Sequence, residues 1–148
     1  MHYKKKIFLV CLLFYVESFL YAEFNTINTS KAYLRVGPGK WYPIKWVLKI
    51  PGLPLKVIEE NSGYKMVELY DGTKGWVSSN LISNKNNLLV IEDTNILNNK
   101  NKPIAKVKKY VVLTSLGCFK DKESSYCKVR KKNIKGRIDS TKVWGKTF

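Results

Sequence analysis

The chain has 148 residues, 27 of them Lys or Arg against 11 Asp or Glu, for a formal net charge of +16. That length makes one ordinary domain or two very small ones. At 45% hydrophobic and 13% aromatic residues, it is too apolar for a disordered polycation, so it folds. Of the basic residues 24 are Lys, and Asn contributes twelve. A joint Lys and Asn excess is what a genome-wide coding bias produces, so part of the charge is background.

Residues 1–22 read as a secretory signal peptide. Lys4-Lys5-Lys6 precedes an unbroken apolar run from Ile7 to Val16, and Leu20-Tyr21-Ala22 places a small residue where cleavage needs one. A bilayer-spanning helix takes about 20 apolar residues, which this stretch reaches only if Glu17 is tolerated inside it. The alternative is a retained anchor. Removing the segment also removes His2, the one histidine of the chain. The remainder has no histidine for a Ser-His-Asp triad, a Cys-His dyad or a His-liganded zinc site. A two-carboxylate glycosidase survives that count, but the acidic residues fall where turns and solvated strand faces are expected. No enzyme activity, cofactor or metal site is therefore expected.

From Ala32 onward short apolar segments alternate with turn residues. Ala32–Val36 reads as a strand, turned by Gly37-Pro38-Gly39. Ile44–Leu48, Leu55–Glu59, Tyr64–Tyr70 and Gly75–Ser78 follow, separated by Pro51-Gly52, Asn61-Ser62-Gly63 and the hairpin pair Asp71-Gly72. Five short strands at this spacing predict a small antiparallel barrel. The pattern then repeats at a lag of about 61 residues. Pro43-Ile44 returns as Pro103-Ile104, Tyr64–Val67 as Tyr126–Val129, and Gly75-Trp76-Val77 as Gly136-Arg137-Ile138. A 60-residue barrel alone is marginal, so two packed side by side are expected. The fold class is all-β: two small antiparallel barrels in tandem, 23–83 and 88–148, joined by a polar linker at 84–87.

Leu34-Arg35-Val36-Gly37-Pro38-Gly39, Tyr42-Pro43-Ile44 and the closing Gly72-Thr73-Lys74-Gly75-Trp76-Val77 resemble the signature of bacterial SH3 (SH3b) domains. The whole of 32–145 is similar to exported tandem-SH3 proteins of alphaproteobacterial type, whose second repeat carries a cysteine pair and closes on Trp-Gly, here Trp144-Gly145. The second repeat departs from the signature. Ile96-Leu97-Asn98-Asn99-Lys100-Asn101 replaces the arginine and glycine turn, and Arg137 stands in place of Trp76. The resemblance implies a non-catalytic module of the cell envelope that binds peptidoglycan or its peptides. The alternative is an adaptor for an envelope protein such as a cell-wall hydrolase.

The residues themselves point the same way in part. The two glycines around Pro38 suit a tight loop with unusual backbone angles, which delivers Trp41 and Tyr42 to one barrel edge. Trp46, Tyr64 and Tyr70 add aromatic surface of the kind that reads extended peptides. Trp41 is expected exposed and Trp76, beside Gly75 on a short strand, in the core. Arg35 alternates with apolar neighbours, so it faces out, either solvated or paired with a carboxylate. The expected ligand-binding set is Arg35, Trp41, Tyr42, Trp46 and Tyr70. Cys118 and Cys127 bracket a polar loop, and in an oxidising compartment the default for such a pair is a disulfide.

Charge is uneven. Residues 23–83 carry eight basic and five acidic groups, residues 84–148 sixteen and five. Lys128, Arg130, Lys131, Lys132, Lys135 and Arg137 concentrate it around one predicted hairpin. Export, with the periplasm the expected compartment, argues against nucleic acid as partner. It leaves peripheral, salt-sensitive attraction to anionic envelope surfaces, or a merely solvated face.

Overall fold

The computed structural model describes residues 23–148. The expected signal peptide lies outside the described residues. Fourteen strands run in chain order: β1 (Glu23–Ile27), β2 (Ala32–Arg35), β3 (Ile44–Leu48), β4 (Pro54–Asn61), β5 (Tyr64–Glu68), β6 (Lys74–Ser78), β7 (Ile82–Ser83), β8 (Asn87–Val90), β9 (Thr94–Leu97), β10 (Pro103–Val107), β11 (Val112–Lys120), β12 (Ser125–Lys131), β13 (Ile134–Asp139) and β14 (Val143–Trp144). Single 3-10 turns at Ser79–Leu81 and Ser140–Lys142 precede β7 and β14.

Two seven-stranded antiparallel sheets result, ordered β3-β2-β6-β5-β4-β1-β7 and β10-β9-β13-β12-β11-β8-β14. The second order is the first advanced by seven strands, so the weak sequence repeat is a full repeat of topology. Each unit has seven strands where five were expected from sequence. The added β1 hides its identity because Asn25 and Thr26 are buried polar residues (1% and 2% exposed). Lys65 Nζ donates to Asn25 Oδ1 at 3.0 Å, and the Thr26 and Ser83 hydroxyls share a bond at 3.1 Å. Burying these groups is tolerable because each has a partner.

The two units share a seam. Leu88, Leu89 and Val90 of β8 are all 0% exposed. Successive side chains of a strand point to opposite faces, so Leu88 and Val90 enter the second core while Leu89 enters the first. Val112 and Trp144 of the second unit also pack against the first core. Trp144 meets Phe24 edge-on, with ring centroids 5.3 Å apart; its buried Nε1 has no hydrogen-bond partner. Asn87, expected in the linker, is instead the first residue of β8, and its amide donates to the Gly52 carbonyl at 3.0 Å. The polar linker therefore ends one residue earlier and its last Asn belongs to the join.

The matching turns of the two units show what the join demands. Gly52 N–H donates to Ile27 O, and Tyr110 N–H donates to Val90 O in the equivalent turn. Both residues have left-handed backbones, φ 75° and 69°. A tyrosine there costs on the order of 1–2 kcal/mol relative to glycine. Its ring lies 5.5 Å from Tyr70 of the other unit, which offsets part of that strain.

Candidate functional site

The β2–β3 loop of the first unit, residues 36–43, is closed at its base by Val36 N–H donating to Pro43 O at 3.1 Å. Arg35 Nη1 donates to Tyr42 O at 2.8 Å, and its guanidinium carbon lies 5.6 Å from the Tyr33 ring centre. Arg35 therefore faces outward as expected, but it clamps the loop rather than pairing with a carboxylate. The glycines also act differently from the sequence expectation. Neither Gly37 nor Gly39 has a left-handed backbone. They are glycine because aromatic rings lie on them: an added Cβ would sit 2.5 Å from Tyr42 Cδ1 at position 37 and 2.7 Å from Trp41 Cε2 at position 39. The two rings, 6.1 Å apart, are thus held over the loop backbone, with Trp41 76% and Tyr42 38% exposed.

Trp46 and Tyr70 form a second group. They line a groove of about 300 Å³ with Leu48, Leu53, Leu69 and Asp71. Trp46 sits on β3, the edge strand of its sheet, where Ile44, Trp46 and Val47 are all exposed. The hydrogen bond to the Tyr110 side chain, then burial, push the Tyr70 hydroxyl up to about 12. The structure thus joins Arg35, Trp41 and Tyr42 in one cluster and Trp46 with Tyr70 in another. Trp76 is buried, at 6%, yet stands apart from the core cluster. It lies opposite Met66 on the outer side of β6.

In the second unit the arginine has changed strands. Arg35 of β2 pairs in register with Trp76 of β6, whereas Leu97 of β9 pairs with Arg137 of β13. Arg137 Nη2 donates to Asn98 O, Asn99 O and Asn101 Oδ1 at 3.3, 3.2 and 2.8 Å. Arg137 therefore holds the loop equivalent to 36–43, which explains why an arginine replaces tryptophan there: this loop lacks the glycines and rings that pin the first one. Cys118 and Cys127 face each other in register across β11 and β12 and are disulfide-bonded, with Cα atoms 4.0 Å apart.

The basic hairpin divides. Lys128, Arg130, Lys135 and Arg137 project to the outer face by alternation with buried Cys127, Val129 and Ile138. Lys131 instead donates to Val112 O at 2.7 Å, and Lys132 occupies the turn at φ 50°. Four aspartates are held below the ordinary carboxyl range by nearby donors. Turn N–H groups are the main cause for Asp71 (Thr73), Asp121 (Glu123 and Ser124) and Asp139 (Thr141); for Asp93 it is the Lys108 ammonium, then Lys109 N–H. Among the described residues no three His, Cys, Asp or Glu side chains gather as a metal site.

A seven-strand antiparallel unit of this order, with an aromatic-bearing loop at its mouth, is an SH3-like barrel. Residues 29–84 match the family described as Bacterial SH3 domain, so the first unit is a bacterial SH3 domain, and the second is its topological copy outside the matched span. No curated protein matches the sequence. Among solved structures the chain is similar to NlpC1 from Trichomonas vaginalis, at 11% identity, TM-score 0.40, over 85% of this chain and 46% of that one. NlpC2 from the same organism gives 11%, 0.39, 84% and 48%. The chain spans less than half the length of either.

Proposed function

We propose that this is a non-catalytic protein of the cell envelope, most simply periplasmic, whose first unit binds peptidoglycan or its stem peptides. The observation that carries the reading is the pre-ordered Trp41–Tyr42 loop. Its rings lie over glycine backbone and its base is clamped by Arg35, so binding has less of the loop to order. An extended ligand entering from this loop meets the exposed edge of β3 and the Trp46–Tyr70 groove. Backbone pairing along an edge strand supplies affinity, and pockets for alternate side chains supply selectivity. A disulfide in the second unit fits an oxidising compartment.

The test is co-sedimentation with purified peptidoglycan across a salt series, for the wild type and Trp41→Ala. Retention that survives high salt and is lost in the variant supports the reading. Retention abolished by salt alone reduces the interaction to charge. No retention at any salt favours the second reading, an adaptor for an envelope protein docked on the same aromatic surface.

A further inference from the structure

The outer face of the second unit carries four cations in register, of which Arg137 also holds the β9–β10 loop. Lys128 lies directly opposite Arg137, and Arg130 directly opposite Lys135. With strands about 4.8 Å apart and alternate residues about 7 Å apart along each strand, the four cations form a small rectangle. In the first unit the same four positions hold Met66 opposite Trp76 and Glu68 opposite Lys74, and Lys74 and Glu68 pair at 3.8 Å. One architecture thus carries a neutral block in one copy and four positive charges in the other. Like charges directly opposite one another weaken a sheet, so the second unit holds this arrangement against its own stability.

Nothing within the described residues neutralises it. The ion pairs of the second unit are Lys108–Asp93 and Lys142–Glu92, neither of which involves the rectangle. Asp139 stands next in register, opposite Tyr126, but its carboxylate accepts from the Thr141 N–H and hydroxyl. Along one side, the Phe119 and Tyr126 rings stack 5.5 Å apart. Lys128 Nζ lies 5.0 Å from the Phe119 centroid and the Arg137 guanidinium 5.2 Å from that of Tyr126. Phe119 and Leu116, at the β11 bulge, are 43% and 45% exposed.

We propose that this face rests on an anionic lipid bilayer, independently of what the first unit binds. A two-dimensional block of cations is complementary to a plane of headgroups, with exposed Lys128, Arg130 and Lys135 meeting it at once beside the loop-bound Arg137, whereas a linear polyanion engages one row. Aromatic and leucine side chains at the border of such a block suit the headgroup–acyl boundary. Each Lys or Arg held at an anionic surface multiplies partitioning roughly five-fold, so removing three of them lowers it on the order of a hundred-fold.

The experiment is flotation of the full chain with vesicles of phosphatidylcholine alone and of phosphatidylcholine mixed with phosphatidylglycerol. The wild type is compared with Lys128→Gln/Arg130→Gln/Lys135→Gln. Arg137 stays because it holds the β9–β10 loop, and residues 1–22 are common to both proteins. Expected are binding to the mixed vesicles that weakens with salt, a fall of about a hundred-fold in the variant, and a thermal midpoint unchanged or raised as like-charge pairs disappear. A second variant, Arg130→Glu, restores the Glu68–Lys74 pattern and is expected to weaken binding while strengthening the fold. Equal binding to both vesicle types, undiminished binding by the variants, or retention on soluble polyphosphate without vesicle binding would each overturn the proposal.

Discussion

Leu89 belongs by sequence to the second unit and by packing to the first, so Leu89→Ala tests whether the two units fold as one. The side chain is 0% exposed within the first core. Truncation removes three carbons at about 0.8 kcal/mol each, and the unfilled space adds to that, for a total of about 3 kcal/mol. Urea unfolding followed by tryptophan fluorescence reads the relevant region directly. Trp41, Trp46 and Trp76 lie in the first unit, and Trp144 packs against its core. A single transition shifted to lower urea with an unchanged slope is expected. A loss under about 1 kcal/mol, or a first-unit transition untouched by a change in β8, would refute the shared seam.

Three further outcomes follow from the same contacts. Replacing both Cys118 and Cys127 by Ser opens a crosslink of sequence separation 9, which is expected to lower stability by about 2–3 kcal/mol in the chain-entropy picture; reductant should shift the wild-type denaturation midpoint equally and leave the double variant unmoved. Arg137→Met frees the acceptors on Asn98, Asn99 and Asn101, so amide hydrogen exchange in residues 98–102 should accelerate while the first unit keeps its protection. Tyr70 has its hydroxyl raised from 10.0 to about 12; the unfolded chain gives up that proton first, so the contribution is intact below pH 10 and is lost as pH rises to about 12. Tyr110, lowered by the same side-chain contact, works the other way, so the net fall across that window is smaller than Tyr70 alone gives, and Tyr70→Phe should flatten it.

Much of this fold is legible without coordinates because turn residues and apolar segments alternate so regularly. Gly37-Pro38-Gly39 and Asp71-Gly72 mark real turns, and the 61-residue lag marks a real repeat. What escapes the hydrophobic pattern is what polar groups build. Strand β1 buries Asn25 and Thr26 rather than an apolar pair, and Asn87 looks like linker because its contact is across the seam. The run Leu88-Leu89-Val90 carries a signal that strict alternation hides: a strand buried on both faces has no polar side. At the site, the exposure of Trp41 and the burial of Trp76 follow from their neighbours in sequence. The reason for Gly37 and Gly39 does not, because it depends on where the Tyr42 and Trp41 rings return. The arginine that changes strands, Arg35 in one copy and Arg137 in the other, is visible only once register aligns the two loops.

Four indole N–H groups, on Trp41, Trp46, Trp76 and Trp144, report which aromatic groups a ligand touches. Titrating isotope-labelled protein with soluble peptidoglycan fragments and following those four resonances locates the contact directly. The Trp41 and Trp46 indoles are expected to shift progressively, while buried Trp76 and seam-bound Trp144 stay in place. Shifts confined to Trp76 or Trp144, or no movement of any indole at saturating fragment, would contradict this expectation.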